Sequence, residues 1–281
     1  MNEKVSTARL SIISNSCLII MKLLAGLFSG SVSIISEAIH SGMDLLASII
    51  AFFSVKFSDT PPDERHPYGH GKFENVSGVI EAVLIFVAAA WIIYEAIHKM
   101  LAPAVVENIE IGAIVMTVSA TVNFLVSRRL YKVAKITDSI ALEADALHLK
   151  TDVYTSVGVA AGLLLIWFTG WHFLDPVIAI MVAMLIIKES YVLLRNAFSP
   201  LLDSSLESDE AMIIKEVINK RGLSFHHLRT RKSGKYRFAD LHLELPENVT
   251  LKDAHRICDE IEQEIESRIA DIEVQIHVEP V

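Results

Sequence analysis

Cysteine is scarce: Cys17 and Cys258 are the only two in 281 residues. One falls in an apolar stretch and the other in a polar one, so no disulfide between them is expected and no zinc-finger spacing exists. Basic charge is short as well. Twenty-five Lys and Arg stand against 34 Asp and Glu, a formal net charge of −9, which argues against nucleic acid as a partner. The His-Glu-x-x-His pattern of zinc hydrolases is missing. So are short tandem repeats and low-complexity tracts. No small-residue cleavage site follows a short apolar core near the N-terminus, so the first apolar run reads as a retained helix and not as a signal peptide.

Apolar residues are plentiful: 52% of the chain is hydrophobic and mean hydropathy is +0.43. Six runs stand out, at 10–28, 32–57, 76–97, 109–126, 139–168 and 176–194. Each approaches or exceeds the roughly 20 residues that cross a bilayer core. Lys4, Arg9, Lys56, Arg65, Lys72, Arg128, Arg129, Lys132 and Lys135 flank one set of ends. The opposite ends carry little beyond Lys99. By the positive-inside rule both termini are expected in the cytoplasm. The last four basic residues read as a loop between the fourth and fifth spans.

Hydropathy changes near Pro200, which divides the chain into a six-span membrane domain, 1–203, and a small cytoplasmic domain, 204–281. In the second part Ser208 can cap a helix over 208–221 that Gly222 ends. Segments 226–231 and 236–245 read as strands, and Thr250 can cap a helix over 251–269. Segment 272–278 is a last strand. The order α-β-β-α-β predicts a two-layer α+β fold.

Two pairs of ionisable residues interrupt the apolar runs. His40 and Asp44 stand four apart in the second, and His148 and Asp152 repeat the spacing in the fifth. Four residues is one helical turn, about 6 Å along the axis, so each pair shares a face. Charged groups at membrane depth are costly and usually face a cavity or pathway. Two imidazoles and two carboxylates make a closed four-ligand set suited to Zn²⁺. Asp145, three residues before His148, is placed to orient an imidazole.

The run SIISEAIHSGMDLLAS, 33–48, resembles the second helix of the cation diffusion facilitator family; ALEADALHLKTDV, 141–153, resembles its fifth; HPYGHGKFE, 66–74, resembles its signature loop. The resemblance extends over nearly the whole chain. It implies a homodimeric divalent-cation/proton antiporter with a ferredoxin-like cytoplasmic domain. The His-Asp/His-Asp set resembles that of zinc-type members. It further implies a loop metal site at Asp63, His66 and His70, where Pro67 and Gly69 bend the chain. A binuclear cytoplasmic site, partly across the dimer interface, falls on His226, His242, His255, His277 and Glu279, with His227 as the neighbour if the register shifts. Lys72 and Asp203 match a charged interlock between the third and sixth helices.

The function expected is proton-coupled export of a divalent cation, zinc first, across a bacterial inner membrane. Metal is cargo and structural ligand, and no organic cofactor is called for. The rivals are a membrane metal sensor signalling through its cytoplasmic domain and an intramembrane zinc hydrolase. A hydrolase needs an open coordination position and a general base.

Overall fold

The computed structural model describes residues 3–29, 32–101, 109–169 and 174–281. Six long helices come first: α1 (Glu3–Ser29), α2 (Val32–Ser58), α3 (Lys72–Leu101), α4 (Ile109–Thr137), α5 (Ile140–Thr169) and α6 (Leu174–Phe198). A 3₁₀ turn, Ser199–Leu202, leads into α7 (Ser208–Asn219), β1 (Ser224–Ser233), β2 (Tyr236–Leu245), α8 (Leu251–Arg268) and β3 (Ile272–Pro280). Among the described residues, Glu3–Ala25, Lys72–His98 and Pro176–Leu202 are long and apolar enough to cross a membrane. Large apolar side chains such as Leu24, Trp91, Leu125 and Met181 are exposed on the helices. An apolar surface of that extent fits lipid and not water.

The helices pack as α1 on α2 and α4 on α5, joined into one group by α1–α4 and α2–α5 contacts. Leu130, Leu142, Leu149 and Val55 fill its core. The α3/α6 pair lies against α5 over Ile85, Leu147 and Ile186. Helix α5 therefore contacts both groups. α4 runs on to Thr137, so Arg128, Arg129, Lys132 and Lys135 stand on a helix and not in a loop. The turn to α5 is only Asp138–Ser139, with Asp138 in the left-handed region at φ 50°. The basic face continues the helix because none of those residues breaks it.

The C-terminal domain has the expected α-β-β-α-β order. Its sheet runs β1-β2-β3, with β1/β2 antiparallel and β2/β3 parallel. Ala239, Leu241, Leu243 and Leu245 alternate along β2 and meet Ile214, Val217, Ile218, Ile261 and Ile265 of the two helices in one core. Thr250 caps α8, its hydroxyl accepting from the Asp253 amide at 3.2 Å. At α7 the expected cap shifts by one: Glu207 holds that position without a side-chain bond, and Ser208 is the first helical residue. Gly222, at φ 68°, closes the turn that follows.

The β1–β2 hairpin tip touches the membrane-domain side of the molecule. The Gly234 amide donates to Asn75 Oδ1 at 3.3 Å, and Lys232 and Arg237 reach Asp138 at 2.6 and 3.0 Å. Gly234 has φ 59°, and a Cβ there would sit 2.8 Å from the Gly71 carbonyl oxygen. Gly234→Ala is therefore expected to cost about 1–3 kcal/mol by overpacking and backbone strain. Hydrogen exchange at Gly71–Glu74 should accelerate in that variant, and unchanged protection would contradict the docking.

Lys72 Nζ donates to Asp203 Oδ1 at 2.8 Å, so the expected interlock forms within one chain. That hydrogen bond holds the Asp203 carboxyl below its ordinary value. A depressed carboxyl contributes stability above its unfolded pKa, and the contribution is lost only as pH falls through the lower folded value. Both groups are substantially exposed, so the contribution is at most about 1 kcal/mol. The difference in melting temperature between the parent and Lys72→Ala should be the same between about pH 7.5 and 5.5.

Candidate metal sites

Three clusters of ligand-type side chains lie on different parts of the fold. In the helical bundle, Asp44 on α2 and His148 on α5 meet directly, Nε2 to Oδ1 at 3.0 Å, and both are buried. Among the described residues His148 Nδ1 has no hydrogen-bond partner. His40 stands on α2 one turn before Asp44; its side chain lies outside the described residues. Asp152, one turn beyond His148 on α5, accepts from Asn123 Nδ2 at 3.1 Å. A polar layer surrounds the pair. Asn15 on α1 donates to Ser48 Oγ at 2.8 Å and to the Asp44 carbonyl at 3.4 Å. Ser48 in turn donates to Asp145 Oδ1 at 2.9 Å. Asp145 thus turns to Ser48 of α2, and no hydrogen bond joins it to the His148 ring among the described residues. Its Oδ2 and Glu81 Oε2 are buried without partners among the described residues. Asn15, Ser48 and Asn123 were not singled out in the sequence. The available signal was an amide inside an apolar run.

In the loop the structure brings Asp63, His66 and His70 together. Asp63 Oδ1 stands 3.3 Å from His66 Nδ1, and Oδ2 stands 3.4 Å from His70 Nε2. The amides of His66 and Arg65 also donate to Asp63 Oδ1, at 2.6 and 2.8 Å. The His66 bond is the main reason its carboxyl stays below the ordinary range. Gly69 at φ 79° makes the turn that returns His70 to the other two. All three ligand atoms lie within 4.8 Å of one another.

In the C-terminal sheet His226, His242 and His277 are in register, one on each strand. Neighbouring strands lie about 4.8 Å apart, so such a row brings imidazoles into contact. His226 and His242 ring centroids are 5.2 Å apart, and those of His242 and His277 4.8 Å. Glu279 sits two residues beyond His277 on the same face. Its Oε1 accepts from His242 Nδ1 at 2.9 Å, and its Oε2 lies 3.2 Å from His226 Nε2. The His242 hydrogen bond is the main cause that depresses the Glu279 carboxyl. Glu244, in register with Glu279, bonds His226 Nδ1 at 3.0 Å and was missed in the sequence. His255 does not join this cluster within the chain. It stands on α8, 77% exposed at its side chain, beside Asp259 at 3.4 Å. His98 is exposed on α3, away from all three clusters, and His172 lies outside the described residues.

Comparison with known proteins gives these clusters a family. Residues 8–202 match the cation efflux transmembrane domain and 206–281 the dimerising cytoplasmic domain of cation efflux proteins. An uncharacterized transporter of Synechocystis, sll1263, is 37% identical over 92% of this chain and 85% of its own length. The cation-efflux pump FieF of Shewanella oneidensis is 34% identical over 98% of this chain and 93% of its own. Among solved structures, the metal-bound C-terminal domain of the CzcD transporter from Thermotoga maritima is 31% identical, covering 27% of this chain and 94% of that one, with a TM-score of 0.25. The chain belongs to the cation efflux, or cation diffusion facilitator, family, whose members are integral membrane transporters and not enzymes.

Proposed function

We propose that the chain exports a divalent metal cation, zinc first, from the cytoplasm in exchange for protons, as a homodimer in a bacterial inner membrane. All six long helices cross the bilayer, both termini face the cytoplasm, and the chain divides at 203. Cargo binds at His40, Asp44, His148 and Asp152.

One observation carries this reading: the 3.0 Å contact of His148 Nε2 with Asp44 Oδ1 between α2 and α5. A hydrogen bond of that length holds one proton between imidazole and carboxylate. A cation that takes both atoms as ligands must expel that proton, so metal and proton exclude each other there.

The cycle then has three steps. Metal entering from the cytoplasm displaces the proton. The bundle rocks outward, with α5 moving against α3 and α6. A proton from outside returns to the histidine and weakens metal binding. Asp63, His66 and His70 bind a second ion in the loop, and the cytoplasmic cluster, with His255 reaching it from the partner subunit, binds further metal that holds the dimer.

Proteoliposomes loaded with the purified chain test this reading against the sensor. Under an imposed pH gradient they should take up Zn²⁺ or one of Cd²⁺, Co²⁺, Fe²⁺ and Mn²⁺, and His40→Ala/Asp44→Ala should stop it. Folded, metal-binding protein that moves none of these ions would replace the transporter with a sensor.

A further inference from the structure

The pairing of β1 with β2 slips at one place. His226 faces His242, yet Arg229 faces Asp240, so three steps along β1 match two along β2. His227 and Leu228 together oppose Leu241, which is a β-bulge. In a regular ladder His227 would share Leu241's face and enter the apolar core. With the extra residue, Leu228 takes the core side, where it packs against the buried cluster. His227 is released and exposed, at φ 53°. Left-handed backbone costs a residue with a Cβ about 1–2 kcal/mol. Such costs persist mainly where a side chain must be aimed.

His227 is aimed at its neighbours. Its ring centroid lies 4.8 Å from that of His226 and 5.0 Å from that of His242. The ligand atoms of His226, His227 and His242 all fall within 4.8 Å of one another. Nitrogens bound to one Zn²⁺ at about 2.0–2.1 Å stand about 3.4 Å apart in a tetrahedron. Small side-chain rotations close that difference. Glu279 engages Nδ1 of His242 and leaves Nε2 for an ion. Its second oxygen, 3.2 Å from His226 Nε2, is placed to fill the fourth position.

We propose that His227 is a metal ligand, completing with His226 and His242 a three-imidazole site within a single protomer. Three nitrogens and one carboxylate oxygen select borderline cations such as Zn²⁺, Co²⁺ or Ni²⁺ over Mg²⁺, Ca²⁺ and Mn²⁺. This inference rests on the reading that the cytoplasmic domain binds metal. It differs in needing nothing from His255, so this ion binds before the dimer closes.

The test is a Zn²⁺ titration of the full-length chain against a chelating indicator, in an Asp44→Ala/Asp63→Ala background that disables the other two sites. His227→Asn removes the imidazole but keeps a residue that tolerates positive φ. His227→Gly is the second such variant and guards against a side effect of the amide. Loss of an outer-shell partner alone weakens metal binding about 10–100-fold, so both variants should bind at least ~10-fold more weakly. His255→Ala removes the ligand proposed to reach the cluster from the partner subunit, so the ion shared across the dimer should weaken while the one that His227 holds binds as in the background. Undiminished binding in His227→Asn and His227→Gly would overturn the proposal, and loss of the His227 ion in His255→Ala would overturn the single-protomer site. His226→Ala/His242→Ala separates the two levels. If it loses metal while His227→Asn does not, only the His227 assignment falls; if it too binds normally, the cytoplasmic metal reading falls with it.

Discussion

Asp44→Ala is expected to reduce Zn²⁺ flux through reconstituted protein by at least ~100-fold while the chain still folds and dimerises. The size follows from what Asp44 does. It supplies one of four proposed ligands, and it holds the proton shared with His148 at 3.0 Å. Removing an outer-shell partner already costs about 10–100-fold in metal affinity. Removing a ligand that is also the proton partner affects both halves of the exchange. The fold should survive because α2 keeps its packing on α1 through Ala8, Val55 and the Ser11–Ser48 hydrogen bond. The unpaired His148 left behind costs about 1–3 kcal/mol. Asp44→Asn offers a sharper comparison: it can keep a hydrogen bond to the ring yet lacks the charge. It should restore the melting temperature and not the flux. Transport by Asp44→Ala at the parent rate would remove this residue from the pathway.

Glu74→Ala is expected to cost about 3 kcal/mol of stability. Glu74 opens α3 and is buried, and it binds α1, α2 and the turn before α5 at once. Lys4 of α1 donates to its Oε1 at 2.5 Å, Ser58 of α2 donates to the same oxygen at 2.7 Å, and Ser139, just before α5, donates to Oε2. Lys4 is itself buried, and its other carboxylate, Asp59, is 3.7 Å away. Truncating one member of a buried ion pair costs about 3–5 kcal/mol, because the other charge stays behind without its counter-charge. Asp59 can take up part of the ammonium's interaction, so the lower end is expected. Lys4→Met/Glu74→Gln should recover most of the loss, since neither charge is then buried. Thermal melts in detergent of Glu74→Ala, the double variant, and Lys4→Met and Glu74→Gln alone check this, and additive losses in the double variant would contradict the coupling.

Local signals in the sequence carried much of this fold, and partners distant in the chain did not. Thr250 was legible as a cap because its hydroxyl acts three residues away. His277 and Glu279 were legible as a pair because strand periodicity is local. The His-x-x-x-Asp spacing put Asp44 and His148 forward before any contact was known. Lys4 and Glu74 lie 70 residues apart, and nothing in either neighbourhood names the other. Glu244 escaped because its link to His226 depends on strand register, which is set across the sheet. The bulge at His227 escaped for the same reason, since an extra residue is invisible until both strands are aligned. Asp145 shows the opposite failure. Its spacing to His148 was right for orienting the ring, but its carboxylate accepts from a serine on α2, a partner 97 residues away.

The central claim is that metal and proton trade places at Asp44 and His148. The most direct measurement is lumenal pH in proteoliposomes carrying an entrapped pH-sensitive dye, with membrane potential clamped, as Zn²⁺ is added outside. Metal entry should alkalinise the lumen in the parent protein, and Asp44→Ala should produce no pH change. Zinc entering at the full rate with no pH change, or Asp44→Ala alkalinising the lumen as fast as the parent, would contradict the account.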